Sequence, residues 1–246
     1  MRKRWMSSDN HVWYDRPASC PAANPTTAWS HWDHNFGDLT NRNPCNFVGG
    51  TTWLRDTSHV IYPLIGPYDS DNAEVMRWHI KVAKAAGYTA FLVSVFPGVT
   101  FDHATVRARF LTMLQVASEE DFKLGMELWF PLDTSNATYY SHAQGTIDAA
   151  NASPHASALY KINNLPVVWL VFWSRWDTVS NLTSNLLNTR QAYWVISSDL
   201  SFAELNSMTL TNGAPGKMSA AVHALSGRHS ENYSLAPSVA ALDAAY

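Results

Sequence analysis

Charge is scarce in this chain. Only 15% of its 246 residues are Asp, Glu, Lys or Arg, and the formal net charge is −3. Such a balance offers no electrostatic footing for nucleic acid or an anionic membrane surface. No apolar run approaches the roughly 20 residues that span a bilayer. The opening MRKRWMSSDNH is basic but lacks an apolar core, so no signal peptide is read there. No glycine-rich phosphate loop follows an apolar run, which removes support for nucleotide-binding Rossmann and P-loop readings. A Gly-x-Ser-x-Gly elbow is also missing, leaving a serine-hydrolase reading without an anchor. Cysteine is limited to Cys20 and Cys45, both in an irregular N-terminal stretch. They either pin a long loop as a disulfide in a secreted protein or remain two thiols.

Aromatic residues, by contrast, are plentiful: 11 Trp, 10 Tyr and 10 Phe. Hydrophobic residues make up 46% of the chain, enough for a substantial core. Trp13, Tyr14, Trp29, Trp32, Trp129 and Trp173 fall in loop-like or strand-end positions. Flat apolar faces with a polar edge suit sugar rings, and they equally suit core packing. Asn136, Asn181 and Asn232 open N-glycosylation patterns. With the cysteines, they lean the expectation towards an extracellular or secretory setting.

The organisation is clearest in YPLIGPYDSDNAEVMRWHIKVAKAAGYTAFLVSVFPG, residues 62–98. Asp71 is expected as the N-cap of a helix over 71–86, with Glu74 completing a capping box. Val75, Trp78, His79, Val82, Ala83 and Ala86 trace its expected apolar face. Gly87 stands where a left-handed C-cap is wanted. The run 89–96 reads as a strand covered on both sides. Further helices are expected near 102–117, 142–160 and 177–190, and further strands at 123–130, 166–173 and 193–199. His11–Tyr14 reads as the end of a first strand.

This alternation predicts an α/β fold with a parallel sheet, best matched by a (β/α)8 TIM-barrel type. Four or five strands are legible where a complete barrel needs eight. Residues 1–200 are therefore read as the barrel-type domain with a long N-terminal loop region. Residues 201–246, rich in Ala, Ser and Gly, form an atypical tail with no convincing strand. The barrel is either incomplete or atypical in its C-terminal part, and an oligomer is one way to complete it.

In such barrels functional side chains gather at the C-terminal ends of strands. Glu127 lies within an apolar strand run, Asp133 follows in the next loop, and Asp199 ends the last strand. Paired carboxylates at such positions are the apparatus of glycoside hydrolysis. Trp29-Ser30-His31-Trp32-Asp33-His34 reads as a sugar-binding loop in which Trp stacks and His or Asp hydrogen-bonds. A His31–His34 metal pair has no third ligand at a recognisable spacing, so no metal or cofactor is expected.

Several segments together resemble glycoside hydrolase family 99, the endo-α-mannosidase family, and related family 71 α-glucanases. VWYD (12–15) and WSHWDH (29–34) are similar to that family's WYG and HW motifs. The 62–98 block is similar to its passage from a Pro-x-x-Gly-Pro-Tyr loop into helix and strand. KLGMELWFP (123–131) and LYKINNLPVVWLVFW (159–173) resemble two later strands. The resemblance covers about residues 12–200. It implies a (β/α)8 barrel and a retaining, endo-acting glycosidase with an open cleft lined by Tyr14, His31, Trp32, Tyr68 and Glu127. The family's late Asn-Glu-Trp-x-Glu motif is absent from this sequence.

The expected function is thus a glycosidase acting on an oligo- or polysaccharide through Glu127, Asp199 and Asp133. Substrate contacts are expected from Trp13, Tyr14, His31, Trp32, Asp33, Tyr68 and Trp129. The alternative is a carbohydrate-binding protein without catalysis.

Overall fold

The computed structural model describes residues 4–11, 14, 16, 20, 43–52, 54–57, 63–95, 103–129, 136–171, 185, 191–198 and 224–227. Its strands are β1 (Arg4–His11), β2 (Tyr88–Val95), β3 (Lys123–Trp129), β4 (Lys161–Ile162), β5 (Leu165–Val171), β6 (Tyr193–Ser198) and β7 (Ala224–Gly227). Its helices are α1 (Ala73–Ala85), α2 (His103–Glu119) and α3 (Asn136–Ala152). Strands β1-β2-β3-β5-β6-β7 pair in that order, all parallel. The two-residue β4 folds back on β5 through Asn163 and Asn164, whose positive φ values of 52° and 65° suit a tight hairpin turn.

Strand order follows chain order without reversal. Parallel crossovers are right-handed, so successive helices return on one face of the sheet. The core has that form. Phe91, Val93 and Val95 of β2, Leu124, Met126 and Leu128 of β3, and Val168 and Leu170 of β5 turn to one side. There they meet Met76 and Ile80 of α1, Phe110, Met113 and Leu114 of α2, and Tyr139 and Ile147 of α3. Each large side chain fully withdrawn from water in this layer contributes about 1.5–3 kcal/mol before entropy is counted. The opposite face carries Leu92, Ser94, Gly125 and Glu127, the alternate positions of β2 and β3. Among the described residues no ladder joins β7 to β1.

Several expectations change. Asp71 is not the N-cap of α1; Asn72 is, its Oδ1 accepting from the Glu74 and Val75 amides at 2.9 and 3.4 Å. The buried face of α1 is Met76, Ile80 and Ala83, whereas Trp78 and Val82 are 38% and 47% exposed. Two apolar stripes of helical period exist in this sequence, and packing selects the one that reaches the sheet. Gly87 does take the left-handed conformation, just past the C-cap Ala86, with φ 85° and its amide bonded to the Lys84 carbonyl.

Helix α3 ends at Ala152 rather than near residue 160, because Pro154 cannot continue the hydrogen-bond ladder. The first strand runs Arg4–His11, ahead of the expected 11–14, and a strand is present at Ala224–Gly227 in the tail. Neither has an apolar signature; pairing with β2 and β6 defines them. The helix expected at 177–190 lies outside the described residues except for Asn185.

Cys20 and Cys45 form a disulfide, closing a loop with a sequence separation of 25. Cys45 adjoins a small antiparallel turn in which Phe47 pairs with Arg55, and Gly49 and Gly50 supply φ values of 62° and 70°.

Gly125 is closely approached on the face opposite the helices. A Cβ there would lie 2.7 Å from Leu92 Cδ2 and 3.4 Å from the Val167 carbonyl oxygen. Leu92 is 3% exposed and has little room to withdraw. Gly125→Ala is expected to destabilise the fold by about 1–3 kcal/mol. Denaturant unfolding checks this, with a smaller loss expected when Leu92→Val is already present.

Candidate functional site

The site is built at one edge of the sheet. Helix α1 ends at Ala85 and β2 begins at Tyr88, so the two run in opposite directions. The N-terminus of α1, and the loop leading into it, therefore stand at the C-terminal edge of β2. Ser94 and Glu127 occupy the same edge on neighbouring strands.

Ser94 and Glu127 are direct partners in the β2–β3 ladder, so their side chains leave the sheet side by side. The Ser94 hydroxyl donates to Glu127 Oε2 at 2.6 Å. Ser94 is 0% and Glu127 9% exposed. A carboxylate so nearly buried requires such hydrogen bonding. On the other side Glu127 pairs in register with Trp169 of β5, which is half-buried. The result is a carboxylate bonded to a hydroxyl, in register with a tryptophan, two residues before the end of a parallel strand.

The loop before α1 is tied down at three points. Ser70 exchanges two hydrogen bonds with Tyr14: the Tyr14 amide donates to Ser70 Oγ at 3.0 Å, and the Ser70 amide donates to the Tyr14 carbonyl at 2.8 Å. Asp69 Oδ1 accepts from the Asp71 amide at 2.8 Å, bending the chain into the helix. Arg109 of α2, only 6% exposed, grips Asp71 in bidentate fashion, Nε to Oδ1 at 2.8 Å and Nη2 to Oδ2 at 3.0 Å. Asp69 Oδ1 lies 3.9 Å from the same guanidinium. The Arg109 hydrogen bonds, opposed by partial burial, hold the Asp71 carboxyl below its ordinary range.

Between these ties sits an aromatic group. Tyr68 meets Tyr14 edge-on at 5.5 Å and His79 edge-on at 5.2 Å. Burial, then the neighbouring Tyr14, pushes the Tyr68 phenol well above the ordinary tyrosine range. Burial also lowers His79. Near neutral pH both are uncharged amphipathic rings, chemistry that suits a hydroxylated, uncharged ligand.

Of the residues expected from sequence, Tyr14 and Tyr68 are brought into contact and Glu127 reaches the strand end. Trp129 closes β3 opposite Val171, its side chain lying outside the described residues. Trp13, His31, Trp32, Asp33, Asp133 and Asp199 also lie outside them. Sequence reasoning missed Ser94, Trp169 and Arg109. Ser94 was readable as a polar residue inside the apolar run 90–96, while Arg109 carried no signal because its partner is 38 residues away. Among the described residues no group of three or more His, Cys, Asp or Glu is placed to hold a metal.

No family model matches the chain, and no curated protein matches it. Solved structures do. The GH99 endo-α-mannosidase of Bacteroides thetaiotaomicron in complex with bis-tris propane matches with a TM-score of 0.53 at 18% identity, over 79% of this chain and 52% of that one. Another structure of the GH99 endo-α-mannosidase from that organism gives a TM-score of 0.55 at 17% identity, over 79% and 55%. This chain thus spans about half the length of those enzymes. At such identities the likeness concerns the fold alone.

The Arg109–Asp71 tie carries a pH dependence. Asp71 is depressed in the folded state, so its contribution is complete above the unfolded carboxylate value near pH 4 and is lost as pH falls through the lower folded value. Asp71→Asn is expected to destabilise by about 1 kcal/mol at pH 7, the exposure of Asp71 moderating the effect. Thermal melts at pH 7 and pH 3 should show the variant's deficit shrinking in acid.

Proposed function

We propose that this protein is a glycoside hydrolase built on a (β/α)8-type barrel, acting within oligo- or polysaccharide chains at the C-terminal edge of its strands. The observation that carries the reading is Glu127: a buried carboxylate, hydrogen-bonded by Ser94 and in register with Trp169, near the C-terminal end of a parallel strand. The fold likeness to GH99 endo-α-mannosidases supports it. Glycoside hydrolysis calls for two carboxylates, one protonating the departing oxygen while the other acts at the anomeric carbon or on water. Glu127 supplies one, held in a single rotamer by Ser94; Asp133 or Asp199 supplies the other. Tyr14 and Tyr68, with Trp13, His31, Trp32, Asp33 and Trp129, bind the sugar. The Cys20–Cys45 disulfide supports an extracellular or secretory setting. Among the described residues no helix is long and apolar enough to cross a membrane.

A second reading is a carbohydrate-binding protein without catalysis, favoured by the missing Asn-Glu-Trp-x-Glu motif. The two separate on a panel of α-mannan, α-glucan and β-glucan fragments assayed for new reducing ends, with calorimetry on the same panel. Hydrolysis is expected, and Glu127→Gln should lower it roughly 10²–10⁴-fold while circular dichroism and the melting temperature stay near wild type. Unchanged turnover in that variant removes Glu127 from the mechanism. Binding heat without any reducing ends favours the second reading.

A further inference from the structure

The rotation of α1 that buries Met76 and Ile80 turns a second stripe away from the sheet. Trp78 on that stripe is 38% exposed. It does not stand on a flat surface. With Val75 and the half-buried Tyr68 it forms the apolar part of an open cleft of about 440 Å³, whose polar margin includes Arg16, Asp69 and Glu74. The Glu74 side chain is 79% exposed, its ion pair being with Arg77 at 3.4 Å. Arg16 is held at the margin by donating from Nη1 to the Pro67 carbonyl at 3.3 Å.

The chemistry of this margin is selective. One guanidinium and two carboxylates leave the cleft a net charge of −1 that disfavours a phosphorylated ligand, while Arg77 on Glu74 and Arg109 beside Asp69 offset the pull on a cationic one. It offers donors and acceptors around a flat indole. That combination fits a neutral pyranose, whose C–H face lies against an aromatic ring while its hydroxyls hydrogen-bond around the edge.

The cleft lies on the outward side of α1, at the same strand edge as Glu127. Tyr68 belongs both to the cleft and to the aromatic group before α1, since its ring meets Tyr14 and also lines the cleft. We infer that the Trp78 cleft is a secondary glycan-binding site, holding one pyranose unit of a long chain away from the bond being cleaved. This rests on the carbohydrate reading above, though not on catalysis. Short fragments would engage the strand ends alone, while long chains would also engage Trp78.

The test uses affinity electrophoresis through gels containing α-mannan, α-glucan or β-glucan, run in the Glu127→Gln background so that the polymer persists. Trp78→Ala is expected to weaken retention at least about threefold, the scale of losing one aromatic contact. Trp78→Tyr, which keeps a flat ring, should restore most of it. Val82→Ala, one turn further along the exposed stripe and outside the cleft, should change nothing. Melting temperatures confirm that each variant is folded. In the active protein, Trp78→Ala should lower kcat/KM on polymer and leave short fragments unaffected.

Retention of Trp78→Ala equal to its background overturns the inference, as does an equal loss in Val82→Ala or no retention of the wild type on any polymer. Trp78-dependent retention without any hydrolysis leaves this site standing and removes the hydrolase reading. Glu127-dependent hydrolysis with Trp78-independent retention does the reverse.

Discussion

A guanidinium that is 6% exposed has to find its counter-charge within the protein, and for Arg109 that charge comes from the loop before α1. Much else follows from this pairing. With both Asp71 oxygens facing Arg109, capping passes to Asn72, and α1 begins one residue later than its sequence suggests. The carboxylate that grips α2 also fixes the end of the loop carrying Tyr68, Asp69 and Ser70. Ser70 in turn holds Tyr14 by two hydrogen bonds across a sequence separation of 56. One ion pair between α2 and a loop thereby reaches the aromatic group, with the packing of α1 as its other anchor.

The sheet works by asymmetry between its faces. Towards the helices the described residues of β2, β3 and β5 are apolar, and α1, α2 and α3 share one core with them. On the other face the layers differ along the strand. Leu92 lies over Gly125, which has no side chain to oppose it, and the next layer towards the C-terminal edge holds Ser94 beside Glu127. Large-on-small packing below and a polar pair above give a rigid base with chemistry at one end. Parallel pairing makes this possible because every strand presents the same end at the same edge.

The parts legible in sequence were those set by local pattern. The 62–98 block revealed a helix, a glycine stop and a strand because their periodicity and capping chemistry lie in neighbouring residues. Glu127 was legible for a related reason: one carboxylate inside an apolar strand requires a partner. The partner itself was not legible, since Ser94 is 33 residues away and only ladder register brings it alongside. Strands β1 and β7 were hidden because Arg4–His11 and Ala224–Gly227 owe their extended state to a neighbour rather than to composition. The phase of α1 was ambiguous because two stripes satisfied one helical period, and tertiary packing decided between them.

The Ser94–Glu127 pair weighs on both functional readings. A carboxylate in register with a tryptophan and almost out of water is a poor choice for stability alone, since an apolar side chain of similar size would avoid the desolvation penalty altogether. A sugar-binding surface alone does not demand this, because hydroxyl recognition is available from half-exposed polar groups such as those around Tyr68. The hydrolase reading does make use of it: glycoside hydrolysis calls for carboxylates held at the reacting bond, and a strand-borne Glu127 tied to Ser94 would supply one. Glu127 is therefore the residue at which the proposed hydrolase and binding readings part.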